Sequence, residues 1–289
     1  MAAALAVAAV HGLDCDDPAV LHDGSNVLVE LRPAPVIARV STKTGEARPG
    51  TAWLRRELQV ARHLAGVGAP AVQPSGLLAP GPHEHDGLAL SFWEAIADAQ
   101  PVSDPAAAGA ALRACHDALV GFPEPLPRLG ALTEARSLLE EHAKAGRLTL
   151  SQLELLEPIG ERLTATLEDA SGGFRPLHGD AHLRNVLQSG ADPVWIDWED
   201  CCSAPVEWDL ACLVKSARVL KDSVDPEPAE AALERWGDDY DGDLLDHCVD
   251  ARAFQVVAWS LQFGRRADDP SVAAHLEWLL ARDGDGQDA

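Results

Sequence analysis

The sequence predicts an α+β fold, in which a small antiparallel sheet with a helix packed on it (residues 1–94) precedes a larger, mainly helical part (residues 95–289). Three observations predict it. Two short runs of β-type composition flank a proline turn near the start. Apolar residues recur at helical spacing over residues 51–65 and again beyond residue 104. That second helical region is broken once, between Pro176 and Asp200, by two further strand-like runs.

In chain order, Met1 to Val10 is Ala-rich and reads as a first helix; with no Lys or Arg ahead of its short apolar run, it lacks the charged start of a secretory signal. The runs Asn26–Leu31 and Pro35–Val40, joined by Arg32, Pro33 and Ala34, read as antiparallel neighbours. Leu54, Leu58, Ala61, Leu64 and Ala65 share one face of a helix that Gly66 and Gly68 stop. Residues 69–87 are rich in Pro, Gly and His and read as loop, His83-Glu-His-Asp86 included. Leu88–Trp93 resumes a strand, and a lobe boundary falls near residue 94. Asp104-Pro105 and Thr149-Leu-Ser151 are helix starts within a helical stretch that runs to about residue 170. Asn185–Leu187 and Pro193–Ile196 read as a hairpin carrying loops, residues 206–280 return to helix, and the tail from Asp283 is expected to fray.

The formal charge of −23, from 46 acidic against 23 basic residues, repels phosphate backbones and anionic lipid headgroups, which argues against nucleic acid or a membrane as partner. A cationic small molecule fits such a field, although the same excess also serves solubility, so charge alone names no substrate. The six cysteines form no C-x-x-C pair, which suits buried, reduced thiols. No run reaches the ~18 apolar residues of a membrane-spanning helix, and a cytoplasmic protein is expected. Oligomeric state is not legible.

The residues that carry chemistry lie in Leu177-His178-Gly179-Asp180-Ala-His182-Leu-Arg-Asn185-Val186 and in Trp195-Ile-Asp197-Trp-Glu-Asp200. An Asp and an Asn five apart on one loop can aim at a substrate hydroxyl and a metal ion, and a second Asp at a hairpin end can complete the metal site. Phosphoryl transfer needs this division: one carboxylate orients the attacking oxygen, and hard oxygen ligands hold the metal against the phosphates.

The pattern H-G-D-x-x-x-x-N followed by I-D-W-E resembles the aminoglycoside phosphotransferase and choline kinase superfamily, over about Val20 to Ala211. The resemblance implies a two-lobed protein-kinase-like fold and transfer of the γ-phosphoryl group of ATP or GTP, with Mg²⁺, to a hydroxyl of a small-molecule acceptor such as an aminoglycoside or other amine. It implies Asp180 as catalytic base, Asn185 and Asp197 as Mg²⁺ ligands, His178 as support for the loop and Asp209 as its tether. For the nucleotide it implies Arg39 against the phosphates with Glu57 as ion-pair partner, and Gly24, Ser25 and Asn26 as a reduced phosphate loop. Phe92, Trp93 and Glu94 would lie in the linker that meets the base. Arg39 stands where the superfamily also uses Lys, and as a planar fork it presents two donors to phosphate oxygens.

Two other classes stay open: a catalytically silent nucleotide-binding module, and a metal-dependent phosphohydrolase, for which the chain has few clustered His and Asp ligands. The acidic stretch Asp238–Asp243, with Asp246 and Asp250, reads either as a solvated face or as lining for an amine.

Overall fold

The computed structural model describes residues 1–285 apart from Ser171, Ala191 and Asp222, so part of the tail lies outside the described residues. The described elements, in chain order, are α1 (Ala2–Val10), β1 (Asp17–Asp23), β2 (Asn26–Arg32), β3 (Val36–Ser41), α2 (Lys43–Ala47), α3 (Ala52–Gly66), β4 (His83–His85), β5 (Leu88–Glu94), β6 (Gln100–Pro101) and α4 (Pro105–Leu119). They continue with α5 (Gly130–Lys144), α6 (Leu150–Glu168), β7 (Arg175–Leu177), β8 (Val186–Ser189), β9 (Asp192–Trp195), β10 (Cys202–Ala204), α7 (Glu207–Val219), α8 (Glu227–Trp236), α9 (Gly242–Gln262) and α10 (Pro270–Asp285). Two compact units result: one of residues 1–103, 111–122 and 184–199, the other of residues 104–110, 123–183 and 200–289.

The first unit is built on an antiparallel sheet in the order β1-β2-β3-β5-β4. Its registers set Val29 opposite Ala38 and Ala38 opposite Phe92, so these three form one row across three strands. Side chains alternate between faces along a strand. The face that carries Val36, Ala38, Val40 and Phe92 is covered by Ala4, Val7 and Ala8 of α1, and all of these are buried. The opposite face, with Ile37 and Trp93, takes Leu58 and Ala61 of α3. Arg39 shares the parity of Ile37, so the pleat alone sends it to the α3 side, where Glu57 lies.

Two strands depart from the sequence expectation. β1 (Asp-Pro-Ala-Val-Leu-His-Asp) has no apolar alternation and is mostly exposed; as an edge strand it is held by its backbone ladder to β2, with a bulge between Val20 and His22. His83–His85, expected as loop, is the short edge strand β4. It pairs back on β5 through Asp86-Gly87, both at positive φ (50° and 77°), the two-residue turn that an Asp-Gly pair favours. The same unit contains the hairpin β8–β9, with β6 as a third strand. Trp195 holds this hairpin to the chain at residues 70–72: its N–H donates to Pro70 O and its C=O accepts from Val72 N.

In the second unit α9 packs against α5, α6, α7 and α10. Buried residues occur all round it, among them Leu245, Val249, Phe254, Val257 and Leu261, as a central helix requires. Thr149 starts α6 with a reciprocal capping box to Gln152. The pair β7–β10 sets Leu177 opposite Cys202, which delivers the chain into the loop beginning at His178. All six cysteines are free thiols, and five of them are buried. Among the described residues no helix is long and apolar enough to cross a membrane.

Candidate active site

In the first unit two of the expected residues, Glu57 and Asp197, meet at the guanidinium of a third, Arg39. Arg39, buried on β3, donates Nη1 to Glu57 Oε1 at 2.5 Å, and its Nη2 lies 3.3 Å from Asp197 Oδ1. Nη2 also pairs with Glu199, and the guanidinium sits 5.5 Å over the Trp53 ring. Glu199 was not singled out from the sequence, yet it is a hub. Its carboxylate accepts from Asn26 Nδ2 at 3.1 Å and lies 3.9 Å from Arg48 Nη1, while its carbonyl accepts from Arg56 Nη2 at 3.5 Å. The available signal was its place two residues after Asp197, in the one-turn helix Trp198–Asp200.

Three carboxylates therefore share two arginines, and the shortage of positive charge shows at Glu57. Burial pushes its carboxyl up to about 7 against the pull of Arg39, and Asp197 adds to the rise. A carboxyl whose folded value stands above its ordinary one binds a proton in the folded state that the unfolded chain releases. Its contribution to stability is full below about pH 4.5 and is lost as pH rises through about 7. The thermal midpoint is therefore expected to fall from pH 5 to pH 8, and to fall less in Glu57→Gln, as followed by circular dichroism.

Asp197 follows β9 with φ 67°, a left-handed conformation that Asp tolerates better than most residues. Its side chain is 39% exposed, but Oδ1 is buried and accepts no hydrogen bond. Asn185, buried at the start of the β8–β9 hairpin, accepts Ile196 N through its carbonyl at 2.9 Å, which ties the two arms together next to Asp197. No group of three His, Cys, Asp or Glu side chains among the described residues is arranged to hold a metal. Asn185 and Asp197, an amide and a carboxylate, are not such a group.

Gly24 and Ser25 form the β1–β2 turn: Gly24 N donates to Asn26 O, and Ser25 O accepts from Thr42 Oγ1 and Thr44 N. The His22 ring covers Gly24 so closely that a Cβ there would lie 2.3 Å from its Nε2. The expected linker residues Phe92, Trp93 and Glu94 are the end of β5. The Phe92 and Trp93 side chains are core. Phe92 N donates to Pro80 O, Phe92 O accepts from Ser75 N, and Glu94 N donates to Gln73 O, so these three backbone groups are already engaged.

The second unit holds the loop with Asp180. Asp209, fully buried in the first turn of α7, takes the amides of His178 and Gly179 at 2.8 Å each, one per carboxylate oxygen. The Gly179 carbonyl accepts from Trp208 Nε1 at 2.9 Å and from Arg252 Nη1 at 3.1 Å. Gly179 has φ 88°, and a Cβ there would stand 1.9 Å from the Asp200 carbonyl oxygen, so only glycine fits. His178, buried, accepts from Asp180 N through Nδ1 at 3.3 Å.

Arg252 of α9 donates Nη2 to Asp180 Oδ1, and His182 Nε2 stands 3.4 Å from Oδ2. Burial pushes the Asp180 carboxyl up, but Arg252, His182 and His178 together outweigh it and hold the group below the usual carboxylate range. Of the acidic stretch, Asp241 caps α9, Asp246 pairs with Arg218, and Asp250 binds Trp278 Nε1 and Arg282. Each of those three carboxylates thus has a partner within the fold.

A family model for the phosphotransferase enzyme family matches residues 3–244, which is most of the chain and includes the Asp180 loop and Asp197. The chain belongs to that family. As a member of it, this phosphotransferase is similar in fold to choline kinase LicA from Streptococcus pneumoniae, at 15% identity and TM-score 0.69, over 96% of this chain and 95% of that one. It is similar to amicoumacin kinase hAmiN, in complex with AMP-PNP, Ca²⁺ and Ami, at 13% identity and TM-score 0.74, over 96% and 93%. The third is APH(2'')-IIia in its GDP and kanamycin complex, at 16% identity and TM-score 0.61, over 97% and 98%. No curated protein matches the chain. The phosphotransferase thus has the α+β fold of small-molecule kinases, with an antiparallel sheet toward its N-terminus and helices toward its C-terminus.

Proposed function

We propose that this phosphotransferase is a Mg²⁺-dependent kinase that moves the γ-phosphoryl group of ATP or GTP to a hydroxyl of a small, amine-bearing molecule. The observation that carries the reading is Arg39, held by Glu57 and facing the carboxylate of Asp197, whose buried Oδ1 lacks a hydrogen bond. A buried carboxylate oxygen that accepts no hydrogen bond suits a hard cation. Mg²⁺ keeps several waters and takes one or two protein carboxylates alongside phosphate oxygens, so Asn185 and Asp197 are a sufficient protein share. When bound, the metal neutralises charge on the transferring phosphates.

The chain's own residues do the rest. Arg39 offers guanidinium donors to phosphate oxygens, and Glu57 and Trp53 keep it in place. Asp180, held by Arg252, orients the acceptor hydroxyl and accepts its proton. The acceptor class is supported by the net charge of −23 and by the choline kinase and the kanamycin complex among the similar structures. The test is a coupled ADP-release screen with Mg²⁺·ATP and Mg²⁺·GTP over choline, ethanolamine, aminoglycosides, other antibiotics and neutral sugars. Acceptor-dependent release with at least one amine-bearing alcohol, and its phosphorylated product by mass spectrometry, is the expected outcome. Release with none of them, or phosphate freed from simple monoesters without a nucleotide, rejects the proposal.

A further inference from the structure

We infer that the Glu199 side chain is an internal counter-anion on the phosphate-binding donors of the first unit, and that a nucleotide phosphate must displace it to reach Arg39. The inference rests on the nucleotide reading of Arg39 and deepens it. Both terminal nitrogens of Arg39 face carboxylates. Nη1 donates to Glu57, and Nη2 pairs with Glu199 while lying 3.3 Å from Asp197 Oδ1. The guanidinium has little room to swing out toward a ligand. Its side chain is 6% exposed, it lies 5.5 Å over the ring of buried Trp53, and Glu57, 1% exposed, pins its other nitrogen. A phosphate therefore has to come to Arg39, and a carboxylate has to make room.

Glu199 is the carboxylate placed to do so. A single oxygen, Oε2, meets Arg39 Nη2 and accepts from Asn26 Nδ2 at 3.1 Å, and Oε1 faces Arg48 Nη1 at 3.9 Å. Arg48 flanks the same Trp53 ring, at 5.9 Å. Two guanidiniums and an amide converging on one anionic group are the kind of donor set that suits a phosphate, and here an acidic side chain fills it. Asn26 begins β2 directly after the Gly24-Ser25 turn, so the same contact ties the expected phosphate loop to the segment after β9. The backbone at Glu199 is held separately, since its carbonyl accepts from Arg56 Nη2. Displacement is thus a side-chain rotation, for which Glu199, 14% exposed, has more freedom than Glu57. Rotation hands Arg39 Nη2 and Asn26 Nδ2 to the incoming phosphate together. Glu57, Asp197 and Glu199 already share two arginines, so a phosphate beside an undisplaced Glu199 would stand against like charge.

The test titrates the full chain with ADP and with adenosine by calorimetry, in EDTA so that no metal contributes, for wild type, Glu199→Gln and Glu84→Gln. Glutamine keeps an oxygen for Asn26 and removes the charge, and Glu84, exposed on β4, controls for a change in net charge alone. Giving up a bond such as that of Asn26 to the charged Glu199 costs about 10-fold or more in an equilibrium constant. Glu199→Gln is therefore expected to bind metal-free ADP about 10-fold more tightly than wild type, with no gain for adenosine and with Glu84→Gln within about 2-fold of wild type. ADP affinity in Glu199→Gln equal to or weaker than wild type overturns the inference, and so does an equal gain for adenosine or in Glu84→Gln. Should Glu199→Gln not fold, a crystal structure of wild type with metal-free ADP decides. A phosphate oxygen on Arg39 with the Glu199 carboxylate turned away supports the inference, and a carboxylate still on Arg39 beside bound ADP overturns it. Should neither wild type nor Glu199→Gln bind ADP, the nucleotide reading of Arg39 falls and the inference with it. ADP bound by wild type without a gain in the variant removes the inference alone.

Discussion

Asp180→Asn is expected to abolish most turnover, lowering kcat by about 10²- to 10⁴-fold, the usual contribution of a positioned general base. Nucleotide affinity should stay within about 3-fold of wild type, because the phosphate contacts are assigned to Arg39, Asn185 and Asp197. Asparagine is the informative replacement. It keeps an oxygen for Arg252 Nη2, whereas alanine would leave a buried guanidinium without its anion, a change that costs about 3–5 kcal/mol and would confuse folding with catalysis. Steady-state kinetics with the acceptor found in the screen, beside calorimetric titration with Mg²⁺·AMP-PNP, separate the two quantities. Turnover within a few-fold of wild type would remove Asp180 from the role of base.

The second large effect is at Asp197. Asp197→Asn is expected to weaken Mg²⁺·nucleotide binding by at least 10- to 100-fold, since losing even an outer partner of a metal ligand costs about that much. Asparagine is again chosen, here for the backbone: at φ 67° alanine would add strain of about 1–2 kcal/mol, while Asn tolerates the left-handed region. The apo protein should respond in the opposite sense. Asp197, Glu57 and Glu199 crowd one guanidinium, and Asp197 helps push the Glu57 carboxyl up. Neutralising it is expected to leave the metal-free thermal midpoint unchanged or higher. A calorimetric isotherm identical to wild type would contradict the metal assignment, and a fall in apo stability would contradict the account of charge crowding.

These two residues were named from spacing in the sequence, whereas the groups that set their properties were not all visible there. Glu199 closes the same I-D-W-E run as Asp197, but nothing in the run names the distant partners that it takes. Arg252 carried no signal at all. It stands in an apolar helix, 72 residues from the aspartate it binds. Asp209 was assigned by resemblance, and its paired hydrogen bonds to adjacent amides are a fact of packing. Ser91-Phe-Trp-Glu94 has the composition of a strand, and its backbone is also bonded to residues 73–80, a Pro/Gly-rich stretch that reads as loop.

The same division runs through the fold. The β2–β3 pair, α3, the β8–β9 hairpin and the capping box of α6 follow from patterns of two to four residues: alternation, helical periodicity, turn chemistry and a side chain that can reach its own helix start. Such patterns act over distances the chain spans locally, so the sequence by itself determined those elements, the family to which the chain belongs, and the loop that carries Asp180 and Asn185. β1 and β4 are polar edge strands that exist because a neighbour offers a ladder, and that neighbour is chosen by the whole sheet. The bond of Asn26 to Glu199 spans 173 residues and that of Arg39 to Glu57 spans 18. Only tertiary structure decided which carboxylates share Arg39 and which guanidinium holds Asp180. Charge and hydrogen bonding between distant side chains depend on how helices and sheet pack, and packing is settled by the burial of many residues at once.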